Sequence, residues 1–276
     1  MNTQKREVRN PRLNRVFDDL VETLRDFIRK HNLTYAEYHR AIAFLAEAGE
    51  KGEIPLLMDV FLEVAVDDVD HRGWAGTETT VEGPYYVPNA PAMASPAVLP
   101  HRANEPGEPL IFSGTIRSSD GDPLAGAVID FWQSDAEGRY SHFNIPEAEA
   151  PFNLRARVTA GQNGRYELQT WVPAAYEIPK AGPTGAIIKA LGGHPWRPAH
   201  LHVRLTHPGH ATLTTQVFLK DDPWIESDVV GAVKSSLIRG TTRVTDAAEI
   251  KRRGFAGPFH TLEYDFVLPR QLAKAA

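Results

Sequence analysis

Pro109-Leu-Ile-Phe-Ser-Gly-Thr-Ile-Arg117 leads through Ser119-Asp-Gly-Asp-Pro123 into Ala127-Val-Ile-Asp-Phe-Trp132. Two apolar, β-branched and aromatic runs separated by a dense Asp, Gly and Pro signal read as two strands and a turn. Further strand candidates are 165–172, 198–205, 213–219 and 260–267. Short strands divided by Gly- and Pro-bearing turns, with no alternating helices, predict a β-sandwich.

Upstream the pattern is helical. Leu13, Val16, Phe17, Leu20, Val21, Leu24, Phe27 and Ile28 form one apolar stripe, with Arg15, Asp18, Asp19, Glu22, Arg25 and Asp26 opposite. A stripe this regular suits a helix packed on its own core, or one that also meets a partner subunit. Thr34-Tyr-Ala-Glu37 has capping-box spacing and opens a second helix ending near Gly49 or Gly52. A third starts at Pro55 and runs through Leu56, Leu57, Val60, Phe61 and Val64. Residues 89–109, rich in Pro and Ala and without periodicity, read as a surface connection. The expected organisation is a mainly β protein with N-terminal helices: a helical linker or dimerisation segment over 1–88, then a β-sandwich catalytic domain over 89–276 that begins with a connecting loop over 89–108.

Composition removes several chemistries. The 276 residues contain no cysteine, which excludes disulfides, thiolate metal sites, iron–sulfur clusters and a cysteine nucleophile. A net charge of −5 and pI near 6.1 argue against a nucleic-acid partner. The start, Met1 to Arg9, has basic residues without an apolar region behind them, and no apolar run is long enough to span a bilayer. The expectation is a cytoplasmic protein without a membrane partner.

Five of the eleven histidines lie between His194 and His210, two of them in Pro198-Ala-His200-Leu-His202. Alternate residues of a strand share a face, so His200 and His202 can reach one ion. Cupins, other oxygenases and hydrolases all use such a pair. Tyr140 and Tyr176 are further oxygen donors. A phenolate ligates when a strongly Lewis-acidic ion lowers the phenol's pKa far below about 10.

Tyr140, Tyr176 and Arg197-Pro-Ala-His-Leu-His202, in this order, resemble the intradiol ring-cleavage dioxygenases of the catechol 1,2-dioxygenase family. Glu82-Gly-Pro-Tyr-Tyr-Val-Pro-Asn-Ala-Pro91, Gly182-Pro-Thr-Gly185 and Thr214-Thr-Gln-Val217 also stand where that family has them. The resemblance implies a mononuclear ferric centre, one Fe(III) per subunit, held by Tyr140, Tyr176, His200 and His202. Its substrates would be a small aromatic diol and O2, and its product a cis,cis-muconate. It implies that Tyr176 takes a substrate proton, that Arg197 stabilises charge developing on the ring, and that Gln216 orients a ligand or the intermediate. Leu56, Asp59, Val81, Pro84 and Tyr85 would line the ring pocket.

Trp196, Leu56 with Asp59, and Val233-Lys-Ser-Ser-Leu-Ile238 look like the chlorocatechol and hydroxyquinol branches, whereas Glu82-Gly-Pro-Tyr85 suits catechol or chlorocatechol enzymes better. Lys180-Ala181 stand where an acidic residue is usual. The family also implies a homodimer through the N-terminal helices, here over Leu13–Ile28, sometimes with a lipid held in a hydrophobic tunnel at that axis. Two other readings remain at this point. Gly114-Thr-Ile-Arg117, Gly121-Asp-Pro-Leu-Ala-Gly-Ala-Val128 and Gly138-Arg-Tyr140 resemble transthyretin-like β-sandwich binding modules, and a cupin-type zinc or ferrous enzyme would also use His200 and His202.

Overall fold

The computed structural model describes residues 10–146 and 150–271; the basic segment Met1 to Arg9 lies outside the described residues. The chain forms two compact units, Met1–Gly52 and Glu53–Ala276.

The first unit holds helices α1 (Pro11–His31) and α2 (Tyr35–Glu50). Asn10 caps α1 by accepting from Leu13 N–H (2.9 Å), Pro11 occupies the first turn, and Asn32 closes the helix in the left-handed conformation. Arg25 and Arg29 pair with Glu22, and Arg29 also with Asp26, on one side of α1. No described residue of α1 is buried, so the predicted stripe lies open. Both halves of the capping box form at α2, between Thr34 and Glu37.

The second unit opens with α3 (Ile54–Met58), which continues through a π-helical turn (Asp59–Glu63) into α4 (Val64–Asp70). The expected third helix is therefore one rod with a bulge that changes which side chains face inward. Then come β1 (Ala92–Ala94), β2 (Ala97–Val98), β3 (Pro109–Ser118), β4 (Val128–Gln133), β5 (Arg155–Thr159), β6 (Arg165–Trp171) and β7 (Tyr176–Glu177). After α5 (Pro183–Ala190) follow β8 (Trp196–Arg197), β9 (His200–Thr206), β10 (Leu213–Leu219), β11 (Ile238–Arg239) and β12 (Thr242–Val244). Helix α6 (Ala247–Arg253), β13 (Phe259–Glu263) and β14 (Phe266–Leu268) complete the order.

Two mixed sheets result, ordered β1-β5-β4-β9-β10-β11 and β12-β13-β3-β6-β2, with β14 also pairing β3. Their inner faces share one apolar core, where Phe112 of β3 meets Phe131 of β4 at a ring separation of 6.0 Å. The expected sandwich is present, with two corrections. The connection over 89–109 contains β1 and β2, which join the sheets by parallel pairing to β5 and β6. The single strand expected over 260–267 is two strands, because Tyr264 and the exposed Asp265 bond to β3 between them: Tyr264 N–H donates to Ser113 O (2.9 Å) and Asp265 accepts from Thr115 N–H (2.6 Å). Gly114 permits this approach, since a Cβ there would collide with the Tyr264 carbonyl.

Candidate metal centre

Strand β9 sits between β4 and β10, with His202 opposite Trp132 on one side and Gln216 on the other. Its two-residue period puts His200 and His202 on one face, both buried, with their Nε2 atoms 2.9 Å apart. His200 Nδ1 lies 2.7 Å from the Pro198 carbonyl. That carbonyl can only accept a hydrogen bond, so Nδ1 carries the proton and Nε2 keeps its lone pair. Burial holds the His200 pKa down to about 3, with the Arg197 cation adding to the effect. His202 is also held well below the ordinary imidazole value, by burial and by His200, and its ring stacks on Trp132 at 4.6 Å. Both rings are neutral near pH 7, as metal-binding imidazoles must be.

Tyr140 and Tyr176 close the other side. The ring separations are Tyr140–Tyr176 5.3 Å, Tyr176–His200 5.7 Å, His200–His202 4.6 Å and Tyr140–His202 6.3 Å, so the four rings form a closed circuit. Tyr140 comes from the loop after β4, while Tyr176 opens β7 and pairs in register with Arg197 of β8. Burial raises the Tyr140 phenol well above its ordinary value. It also raises Tyr176, but there the Arg197 cation opposes the rise.

The donor set fits a cation. The Tyr140 hydroxyl lies beside Tyr176 yet makes no well-formed hydrogen bond among the described residues, and neither does His202 Nδ1. Leaving such a hydroxyl buried and unmatched costs about 1–3 kcal/mol. An ion held by the two imidazole nitrogens and by the two tyrosine oxygens, once these have released their protons to solvent, would remove that cost. Anionic oxygen with imidazole nitrogen suits a hard, oxidised ion.

Arg197 reaches the same place and is held from behind. Its Nε and Nη2 each lie 3.1 Å from a different oxygen of Asp228, and Nη2 also donates to Gln216 Oε1 at 2.9 Å. Gln216 Nε2 donates in turn to the Val81 carbonyl at 2.7 Å. Burial would by itself lower the arginine's pKa, but the Asp228 carboxylate and the Tyr176 phenol reverse this and raise it. Burial likewise pushes the Asp228 carboxyl upward, and Arg197 with the Ala232 N–H pulls it below its usual range. The side chain is therefore a fixed cation.

One buried cluster joins Val60, Tyr85, Trp132, Tyr140 and Tyr176, with Leu56 packed against it. Tyr85 stacks on Tyr140 at 4.5 Å. Asp59 sits half-buried on the π-helical turn, its pKa raised by burial, while Pro84 is exposed. Two buried groups were not singled out from the sequence. Asp228 lies 31 residues from its partner, in a loop. Arg155, on β5, donates to Ser141 Oγ (2.7 Å), Ser141 O (3.1 Å) and Tyr85 O (2.6 Å), bracing the segments that carry Tyr140 and Tyr85. Arg155 does this at a cost, since burial lowers its pKa to about 10. Near Lys180-Ala181, Glu53 accepts from Thr184 N–H at 2.9 Å, at the start of α5.

A β-sandwich carrying two tyrosines, two histidines and a buried arginine around one point is the arrangement that the resemblance to intradiol dioxygenases implies. Profiles described as dioxygenase and as catechol dioxygenase N terminus match residues 81–270 and 10–78, and the chain belongs to the catechol 1,2-dioxygenase family. It is 40% identical to a chlorocatechol 1,2-dioxygenase of Rhodococcus opacus over 237 residues, 85% of this chain and 92% of the relative. Identity to a hydroxyquinol 1,2-dioxygenase of Rhizobium sp. (strain MTP-10005) is 38% over 273 residues, 96% of this chain and 92% of the relative. The crystal structure of 3-chlorocatechol 1,2-dioxygenase from Rhodococcus opacus 1CP superposes with a TM-score of 0.84 at 36% identity, covering 94% of this chain and 99% of that one. The transthyretin-like and cupin readings are not favoured. No helix among the described residues is long and apolar enough to cross a membrane.

Proposed function

We propose that this chain cleaves the ring of a substituted catechol between its two hydroxyl-bearing carbons, incorporating both atoms of O2 to give a cis,cis-muconate. The observation that carries this reading is the closed circuit of Tyr140, Tyr176, His200 and His202 with Arg197 fixed beside it. Those four side chains would hold iron, one Fe(III) per subunit. Bound there, ferric iron supplies Lewis acidity that favours the catechol dianion and draws electron density from its ring.

The protein's own groups do the rest. Held by iron as a phenolate, Tyr176 Oη would take one substrate proton and become the neutral phenol, and the adjacent Arg197 cation lowers its affinity for that proton. The guanidinium, immobilised by Asp228 and Gln216, stabilises negative charge as it develops on the ring. Gln216, anchored to the Val81 carbonyl, keeps both Arg197 and the pocket wall in position. Leu56, Asp59, Val81, Pro84 and Tyr85 shape the space for the ring. Leu56 packs against the cluster that holds Tyr140 and Tyr176, and Asp59 sits half-buried on the same helical rod. Catechol, chlorocatechol and hydroxyquinol are the candidate substrates.

Oxygen uptake with catechol, a chlorocatechol and hydroxyquinol side by side, with product identification, tests the proposal. A ring-opened dicarboxylate from at least one substituted ring is expected. Uptake with none of them, or cleavage outside the diol, overturns it.

We further propose a homodimer through α1. Leu13, Val16, Phe17, Leu20, Leu24 and Phe27 are each at least half exposed along one face. Covering the exposed half of each such side chain is worth roughly 0.8–1.5 kcal/mol. Light scattering at micromolar concentration should give twice the 30.6 kDa chain mass; a monomer contradicts the proposal.

A further inference from the structure

The turn joining β9 to β10, Thr206-His-Pro-Gly-His-Ala211, carries a second histidine pair that the proposed reaction does not use. His210 N–H donates to His207 O at 3.1 Å, closing a β-turn with Pro208 and Gly209 at its centre. Gly209 has φ +76°, the left-handed value that a type II turn requires at this place, and proline suits the position before it. The C-terminal segment holds the turn from outside: Gln271 N–H donates to Gly209 O and Ala211 N–H to Pro269 O, both at 3.0 Å.

This turn brings His207 Nδ1 and His210 Nδ1 to 3.0 Å. His207 Nε2 lies 3.2 Å from the Ala125 carbonyl, which accepts its proton and leaves a lone pair on Nδ1 of the neutral ring. His210 Nδ1 is also 3.1 Å from the Pro208 carbonyl. Two nitrogens and one oxygen thus crowd together with edges of 3.0 and 3.1 Å. Donors about 2.1 Å from one ion stand about 3 Å apart when they meet at a right angle. His200 and His202 show the same spacing, 2.9 Å, in the catalytic pocket. The nearby cation Arg270 is engaged by Asp120 and Asp122, which offsets its charge.

We propose that His207 Nδ1, His210 Nδ1 and the Pro208 carbonyl form a second metal site. Its two imidazoles select a divalent cation of the zinc, nickel or copper kind over magnesium or calcium. The cation binds Nδ1 of the neutral His210 tautomer whose proton has moved to Nε2, and staples the β9–β10 turn. Pro208 and Gly209 preorganise the chelate, so little conformational entropy is lost on binding.

The test uses the full-length, iron-loaded protein dialysed against zinc, with both metals counted and thermal unfolding followed. Zinc bound beyond the iron, at one equivalent per chain, and a higher Tm with zinc are expected. His207→Ala and His210→Ala should each lose that zinc and the Tm shift, while iron content and visible absorption stay unchanged. His210→Gln serves if His210→Ala does not fold. No zinc beyond the iron site, zinc retained in these variants, or zinc that displaces the iron would each overturn the proposal.

Discussion

In the helical unit, apolar side chains face outward: α1 has no buried residue, and Phe17, Leu20 and Leu24 stand half open. In the β-rich unit, polar side chains are shut in: Arg155, Arg197, His200, His202 and Gln216 are each at most 3% exposed. Each region inverts the ordinary partition of apolar inside and polar outside. Such inversions are informative because each is unfavourable unless something else compensates. For α1 the compensation proposed is a second copy of the chain. For the β-rich unit it is partly internal, through Asp228 and Ser141, and partly a metal ion for the donors that have no partner.

The sharpest way to break this contrast is to remove a buried donor. Tyr140→Phe and His202→Ala should each abolish ring cleavage and lose iron while the fold persists by circular dichroism; full activity in either would remove the metal from the account. Arg197→Ala should lower kcat by about 10²–10³-fold, the usual loss for a group that stabilises developing charge. Arg197→Lys should rescue little, because an ammonium cannot reproduce the fork held by Asp228 and Gln216. Asp228→Asn leaves a buried guanidinium without its counter-charge. It should cost about 3–5 kcal/mol in chemical denaturation, with kcat down by about 10–100-fold through misplacement of Arg197.

The outward half of the comparison is tested by Leu20→Glu with Leu24→Glu. The double variant should run as a monomer by light scattering, whereas unchanged mass would mean that this stripe is not the dimer face. Its kcat per chain should change far less than in any donor variant.

A smaller effect concerns Glu63, on the π-helical turn. Burial and the neighbouring Asp59 raise its carboxyl from 4.5 to about 7, although backbone N–H groups of Glu82 and Gly83 and the Arg197 charge oppose the rise. The folded state holds this proton more tightly than the unfolded chain, so Glu63 reduces stability as pH rises from about 4.5 to 7. Glu63→Gln should flatten that part of the Tm–pH curve and raise Tm above pH 7. An identical pH slope would show that Glu63 is not the group responsible.

What the sequence could reveal follows from how local each signal is. The α1 stripe, the capping box at Thr34 and Glu37, and the strands β3, β4, β6 and β10 rest on short-range periodicity and were readable. His200 and His202 were readable as a pair because a strand repeats every two residues. Tyr140 and Tyr176 were readable only as possible oxygen donors, and they were joined to Arg197 and the histidine pair in one site only through the family resemblance, since nothing local distinguishes them from other aromatics or a surface cation. Strand β5 escaped because Arg155 and Arg157 interrupt its apolar pattern, although Arg155 points inward to Ser141 and Tyr85. Asp228 escaped because it acts across 31 residues of chain, from a loop. The strands within 89–109 escaped because Pro and Ala show no alternation there, and their pairing partners lie far along the chain.

The most direct test of the central claim is the visible spectrum of the purified, aerobic protein with its metal content. Phenolates bound to ferric iron give a broad charge-transfer absorption. A wine-red protein with stoichiometric iron is expected, its band shifted or lost in Tyr140→Phe and Tyr176→Phe. A colourless protein with stoichiometric zinc, or without bound metal after iron supplementation, would contradict the account.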